Sequence, residues 1–288
     1  MIENFISSWA LFHNTYLAGW LIGLLLSLIG VLVVARDQIF IGAAVSQAST
    51  LGIALAMWIG AWAGAGLRLW FRSDEFLSIM AVAFSVIAAL ITARGGEGSR
   101  ESHEAITGWV FLASASLSIL IVSRSPHGLE EIHRLLSSSI IGATRADVWT
   151  FGLLAGAAAL SLCAGLRRIL LFAMDPVMAA AVGMRITRWG ALTSAGLGLA
   201  VGLSIRSSGM LYTFGCLVLP ALIAKHICRE VRPMFLVAPI VAVGTGMAGF
   251  VLANHYDFPP AQMTIALLSL LLMVAWLFRN LRHGGTAI

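Results

Sequence analysis

Long apolar runs separated by short polar connections make up most of the chain. A helix needs about 20 apolar residues to cross the hydrocarbon core of a bilayer. The pattern therefore predicts about nine membrane spans, and eight to ten agree with the run boundaries. The predicted spans cover residues 16–35, 40–65, 76–93, 105–122, 148–171, 189–205, 208–226, 234–253 and 261–279. The sixth and seventh are separated only by Arg206-Ser207-Ser208-Gly209, which we interpret as a very tight turn.

Composition agrees with a membrane protein. Hydrophobic residues make up 59% of the chain and charged residues 11%, whereas soluble domains carry roughly 25% charged residues. Because lipid cannot satisfy backbone hydrogen bonds, such spans form helices, and a barrel would show short alternating segments instead. We predict an all-α fold, a polytopic transmembrane helical bundle with one domain over residues 1–288. Glycine pairs four apart, among them Gly152/Gly156 and Gly198/Gly202, predict close helix packing.

The basic residues are distributed unevenly over the connections. With a cytoplasmic C-terminus, alternate connections place about two-thirds of them inside, which favours an N-out, C-in orientation. We attribute the net charge of +5 to these loops and not to a nucleic-acid partner, because no basic run approaches a binding tract.

Two segments outside the spans are amphipathic. Residues 1–14 are predicted to lie along the membrane interface with Trp9 as an aromatic anchor, and Glu3 without a basic region argues against a cleaved signal peptide. The connection 123–147 is predicted to be external. Within it, Leu129–Leu136 has apolar residues at helical spacing and predicts a surface helix.

The connection 172–188 contains a short helix with start and stop signals. Asp175 suits an N-cap, and Pro176 suits the first turn, where its missing N–H is not needed. The helix then runs from Val177 to Val182, and Gly183 can close it. At about two turns it cannot cross a bilayer. We interpret it as a docking element at the membrane surface, between flanking arginines.

The second predicted span has a polar patch formed by Ser46, Gln47, Ser49 and Thr50. Exposing four polar side chains in five positions to lipid would be energetically unfavourable. Some of them therefore face the bundle interior or a water-filled path. Two interpretations stay open: hydrogen bonds between helices, and a transport path.

Motifs for covalent chemistry are absent from these 288 residues. There is no His-Glu-x-x-His zinc motif, and His103-Glu104 has no second histidine at the required spacing. There is also no Walker motif, so the chain is predicted not to use ATP itself and not to be an enzyme. The three widely spaced cysteines are predicted to be buried thiols.

Four segments together resemble the membrane permease subunits of metal-ion ATP-binding-cassette (ABC) importers, which take up zinc, manganese or iron. The last two are the most specific in residue type and spacing. The segments are Val34–Ala48, Leu135–Gly142, Phe172–Met184 and Gly209–Ala221.

This resemblance implies a multi-pass subunit of a bacterial plasma membrane, paired with a second permease copy as a homodimer or heterodimer. It implies that the chain binds no cofactor, and that ATP is used by a separate cytoplasmic ATPase. An extracytoplasmic metal-binding protein would dock on Leu129–Leu136 and His255–Pro260. The other expected contact is membrane lipid, with no nucleic acid. The residues that would couple to the ATPase are Asp175, Pro176, Ala179, Gly183 and Met184.

The chain departs from this family where the family has an aspartate and a histidine one helical turn apart. Those positions are Ala43 and Gln47 here. Alanine offers no ligand, and an amide is a weak one for cations that favour carboxylate and imidazole. Three explanations stay open: an altered, chelated or hydrated cargo; a site elsewhere in the chain; or a divergent subunit paired with a different permease. A non-transporting scaffold or regulatory subunit is the contrasting class.

Overall fold

The computed structural model describes residues 2–62, 70, 73–94, 101–123 and 140–283. Within these ranges the regular structure is entirely helical, so the predicted fold class is confirmed. A 3₁₀ helix, Ile140–Gly142, precedes the fifth α-helix. The α-helices are α1 Ile2–Ala35, α2 Phe40–Trp62, α3 Asp74–Ala93, α4 His103–Val122, α5 Arg145–Met174, α6 Pro176–Ala181, α7 Ile186–Ile227, α8 Val231–Tyr256 and α9 Pro260–His283.

Eight of the described helices are long and apolar enough to cross a membrane, all except α6. This number lies within the predicted range, and it counts the 42-residue α7 once. The division predicted at Arg206–Gly209 is confined to its last residue, because the helix continues through Ser208. Gly209 alone leaves the helical region, with φ 79° and ψ 168°, a conformation almost restricted to glycine. Gly209 thus divides α7 into two segments, each close to the length of one span.

The chain forms two compact units, each built from separate segments. Unit 1 comprises Met1–Asp37, Ser139–Asp175 and Leu211–Ile288, and unit 2 comprises Gln38–Ser138 and Pro176–Met210. The single permease domain over residues 1–288 stays a prediction.

In unit 1, α1 packs on α5 and α8, and α8 packs on α9. Small residues allow these helices to approach closely. A Cβ at Gly30 would collide with the backbone carbonyl of Leu217, so α1 and the second segment of α7 lie backbone against backbone there. The buried Tyr212 hydroxyl donates to the carbonyl of Gly19 at 3.0 Å and ties the same two segments.

In unit 2, α2 packs on α3 and α4. The first segment of α7 approaches α3, where a Cβ at Gly198 or Gly202 would meet the backbone of α3. The Ser85 hydroxyl donates to the Gly198 carbonyl at 2.6 Å, which adds a hydrogen bond to this contact. The close packing predicted from the Gly198/Gly202 pair is therefore confirmed.

The predicted accessory segments have different outcomes. Residues 2–14 continue into α1 without a break, and their location along the interface stays a prediction. The surface helix predicted at Leu129–Leu136 lies outside the described residues. The connection ends at Thr144, which forms a capping box with Asp147 and starts α5.

Candidate functional site

The predicted polar patch lies on α2, and three of its four side chains are buried. The Thr50 hydroxyl donates to the Ser46 carbonyl one turn earlier, at 3.1 Å, so helix backbone satisfies it. The hydroxyls of Ser46 and Ser49 are buried and have no hydrogen-bond partner among the described residues. A buried hydroxyl without a partner costs about 1–3 kcal/mol. These two side chains are therefore the part of the patch that packing alone does not explain.

The fourth side chain of the patch, Gln47, is half-buried and contacts α7. Its amide nitrogen donates to the sulfur of Met210 at 3.5 Å. A thioether is a weak acceptor, so this contact holds the amide in place without neutralising its polarity. Ala43 is buried one helical turn before Gln47 on the same helix. The two positions that carry ligands in the resembled family thus present a methyl group and a neutral amide.

The residue beside Met210 is Gly209, where the α7 helix is interrupted. Non-helical backbone at membrane depth is tolerated only where it is buried in protein or lines a wet cavity. The polar patch of α2 and the break in α7 therefore meet through Gln47 and Met210 within unit 2. Sequence analysis assigned Gly209 to a turn and did not identify Met210, because nothing local to the sequence connects either residue to α2.

An ion pair lies three residues before the break. The Arg206 guanidinium is 3.3 Å from the Asp74 carboxylate in the first turn of α3. The position of Asp74 also suits the positive end of the α3 dipole. The pair thus fixes the end of the first α7 segment to the start of α3.

The short helix α6 ends as the sequence predicts. Gly183 has φ 82°, in the left-handed region that favours glycine. The Met184 N–H donates to the Ala179 carbonyl at 3.0 Å, and the Gly183 N–H donates to the Ala180 carbonyl at 2.9 Å. These two bonds form a Schellman motif, so the predicted closure at Gly183 is confirmed.

The start of α6 is a sharp junction with α5. The Asp175 N–H donates to the Leu171 carbonyl at 3.0 Å and completes the last turn of α5. Pro176 then begins α6. Asp175 is thus the single residue between two helices, and its N-cap role stays a prediction.

The surface of α6 is apolar and exposed. Val177, Met178 and Val182 are 69%, 53% and 62% exposed, whereas Ala179 is fully buried. The exposed Arg185 follows these residues in the connection to α7. Large apolar side chains grouped on the surface beside a cation are typical of a site that contacts either another protein or the membrane. Ala179 is buried beneath this surface, and its coupling role stays a prediction.

The other predicted contact surface includes the connection from α8 to α9. Asp257 ends α8 in the left-handed conformation, with φ 55°. The His255 and Tyr256 rings meet edge to face at 4.8 Å, and Tyr256 and Phe258 are exposed. In the part of the chain that the structure describes, no group of three or more His, Cys, Asp or Glu side chains could hold a metal ion.

Comparisons with known proteins agree with this architecture. The family model described as the ABC 3 transport family matches residues 8–279. The manganese transport system membrane protein MntC of Halalkalibacterium halodurans is 24% identical, over 94% of this chain and 88% of its own length. The chelated iron transport system membrane protein YfeD of Yersinia pestis is 22% identical, over 90% of this chain and 82% of its own length.

A solved structure shows the same fold. PsaBC from Streptococcus pneumoniae, in complex with Fab, superposes with a TM-score of 0.77 at 19% identity. The superposition covers 96% of this chain and 95% of the solved chain.

Proposed function

Because this chain belongs to the ABC 3 transport family, we propose that it is the membrane permease of an ATP-driven importer of manganese, iron or zinc. The observation that carries the proposal is the family match, which extends over residues 8–279 and includes all eight span-length helices. Relatives named as manganese and chelated-iron transport proteins support a metal cargo. The chain is a multi-pass protein of the plasma membrane, in agreement with its family and with the eight span-length apolar helices among the described residues.

Energy for transport comes, in this proposal, from ATP used by a separate cytoplasmic ATPase subunit. The exposed apolar surface of α6 is the contact for that subunit, and Asp175, Pro176, Gly183 and Met184 fix its shape. A short helix that begins at Pro176 and is closed at its C-terminal end by backbone hydrogen bonds transmits a push as a rigid body. A second permease copy and an extracytoplasmic metal-binding protein complete the assembly.

The proposed orientation is N-out and C-in, which places α6 in the cytoplasm. It follows from the excess of arginine in the corresponding connections. With its two ends on opposite sides, the chain must cross the membrane an odd number of times. It does so when the two segments of α7 each cross the membrane separately.

The cargo passes the α2 position, in this proposal, with its hydration shell or chelator retained. Ala43 and Gln47 offer one neutral amide, and the Gln47 amide nitrogen is engaged with Met210. Neutral oxygens such as those of Ser46 and Ser49 suit the water or ligand shell of a cation better than the bare ion. The chelated-iron relative supports the same interpretation.

The function is tested by reconstituting the full chain with its ATPase and measuring metal uptake by elemental analysis. The variants Asp175→Arg and Gly183→Leu change α6 without touching α2. Leucine at φ 82° costs about 1–2 kcal/mol, so the end of α6 should rearrange. We expect loss of ATPase stimulation and uptake with normal membrane insertion.

The matched control is Gly156→Leu. Gly156 lies in α5 with no heavy atom near the added Cβ, and this variant should transport normally. Unchanged uptake in both α6 variants would refute the coupling role. Normal coupling without metal uptake from any metal-limited medium would refute the metal cargo.

A further inference from the structure

A large cavity lies in unit 1, at the end of the unit where α7 finishes and α8 begins. Its volume is about 1090 Å³, at the upper end of the range for small-molecule sites. The walls come from α8 and α9 and include Val241, Leu271 and Val274. The mouth is lined by charged residues of the α7–α8 connection and by Arg279 near the end of α9.

The charges at the mouth leave a positive excess. Lys225, Arg229 and Arg279 oppose the carboxylates of Asp37 and Glu230. Asp37 is already paired with Lys225, with the amine 2.9 Å from the carboxylate. Counted over the described lining residues alone, three basic side chains therefore face two carboxylates.

The two arginines at the mouth are accessible to a ligand. Arg229 forms no ion pair within the described residues and is exposed. The Arg279 guanidinium lies 3.3 Å from the ring nitrogen of His226, a neutral partner when the imidazole is unprotonated. Glu230, which precedes α8 and lines the mouth, forms no side-chain cap, so the first N–H groups of α8 have no partner from that side chain. An anionic group is favoured at such a position.

The apolar lining of the cavity extends along α8 and α9, two helices of membrane-spanning length. Val241 lies ten residues after the start of α8, about 15 Å along the helix axis. Leu271 lies eight residues before Arg279, about 12 Å along α9. These depths approach half of the roughly 30 Å hydrocarbon core. A free phosphate or an acidic peptide would not use this apolar depth, whereas an acyl chain would fill it.

We propose that this cavity binds an anionic phospholipid, with its phosphate at Arg229 and Arg279 and its acyl chains between α8 and α9. Basic pockets between membrane helices bind anionic headgroups in this manner. The site lies in the membrane leaflet where α7 ends and α8 begins. Under the proposed orientation this is the cytoplasmic leaflet.

The test is lipid binding to the purified full chain, measured by native mass spectrometry after delipidation. Phosphatidylglycerol should bind and zwitterionic phosphatidylcholine of the same chains should not.

Each basic group near a lipid surface contributes about 1 kcal/mol, or roughly fivefold in affinity. Arg229→Gln with Arg279→Gln should therefore weaken binding by roughly 25-fold, and Arg279→Lys should retain it. Val274→Trp fills the apolar part and should also reduce binding.

Two controls separate the site from general effects. Met273→Trp places the same side chain on an exposed part of α9, and Arg94→Gln removes an exposed arginine from unit 2. Both should bind phosphatidylglycerol as the unmodified chain does. Equal retention of the two lipids, equal losses in the controls, or displacement by millimolar inorganic phosphate would each overturn the proposal. A double arginine variant that keeps its lipid but loses the ATPase subunit would show a protein contact instead and would also overturn it.

Discussion

The side-chain amide nitrogen of Gln47 lies 3.5 Å from the sulfur of Met210, although 163 positions separate the two residues in the chain. This contact joins the polar patch of α2 to the residue after the α7 break. It also occupies the amide nitrogen at a position where the resembled family has a metal ligand. The polar patch of α2 is thus poor in groups that bind a bare cation.

Restoring the two family ligands should create a metal site. Ala43→Asp with Gln47→His places a carboxylate and an imidazole one helical turn apart on the same face. We expect Zn²⁺ or Mn²⁺ to bind about tenfold or more tightly, about 1.4 kcal/mol, in calorimetric titration of the purified chain. The control is Ala43→Asp with Gln47→Leu, which lacks the imidazole. Equal affinity in both variants would show that α2 does not line the cargo path.

Gly209→Ala should destabilise the protein. At φ 79° and ψ 168° a side chain is strained, with a cost of about 1–3 kcal/mol. Thermal unfolding in detergent should therefore begin at lower temperature, and uptake should fall if the helix closes over the break. Gly244→Ala, in α8 with no heavy atom near the added Cβ, should be neutral or slightly stabilising. A fully stable and active Gly209→Ala variant would mean that the break is dispensable.

Gly30→Ala should separate α1 from the second segment of α7. The added methyl group would meet the backbone of Leu217, which cannot rotate away as a side chain does. We expect a loss of about 1–3 kcal/mol in stability, as for other overpacked sites. Gly156→Ala makes the same change on α5 where no atom is near, and its unfolding midpoint should not fall. Similar midpoints for both variants would contradict the close approach.

Chemical labelling of Cys228 should report the orientation. Burial raises the pKa of its thiol, so less thiolate is present at pH 7 than at an exposed cysteine. Its labelling rate should rise about tenfold per pH unit up to the raised pKa. The prediction of three buried thiols is wrong for Cys163, which is exposed, and Cys228 is only half-buried. In a background with Cys163→Ala and Cys216→Ala, a membrane-impermeant maleimide should react only from the cytoplasmic side.

The matched position for this experiment is Asp257, at the other end of α8. With Cys228→Ala and Asp257→Cys, the same maleimide should react from outside. The opposite pattern of labelling would reverse the proposed orientation.

Features set by neighbouring residues could be predicted from the sequence, as α6 shows. Pro176 favours a helix start and Gly183 a helix end through the conformation of their own backbone. The two ends of the helix could therefore be predicted from a stretch of about eight residues. Helix class and span number followed from hydrophobicity in the same way.

Features set by distant partners could not be predicted. The spacing of Gly152/Gly156 matches that of Gly198/Gly202, yet Gly156 faces no neighbour and Gly198 lies against α3. The spacing of the glycines identifies a helix face without large side chains, but it does not identify the helix that packs against that face. The division predicted at Arg206–Gly209 falls on Gly209 alone for a related reason, because the sequence does not show that Arg206 has a partner in Asp74.

The division of the chain into two interleaved units has a consequence for biosynthesis. Unit 2 ends at Met210, so the ribosome has made all of it before α8 and α9 exist. Unit 1 is different, because α1 packs on α8. The surface of α1 around Gly19, which Phe250 of α8 covers, must therefore wait for its partner until most of these 288 residues have been translated. A chaperone or insertase that shields this part of α1 would act during that interval.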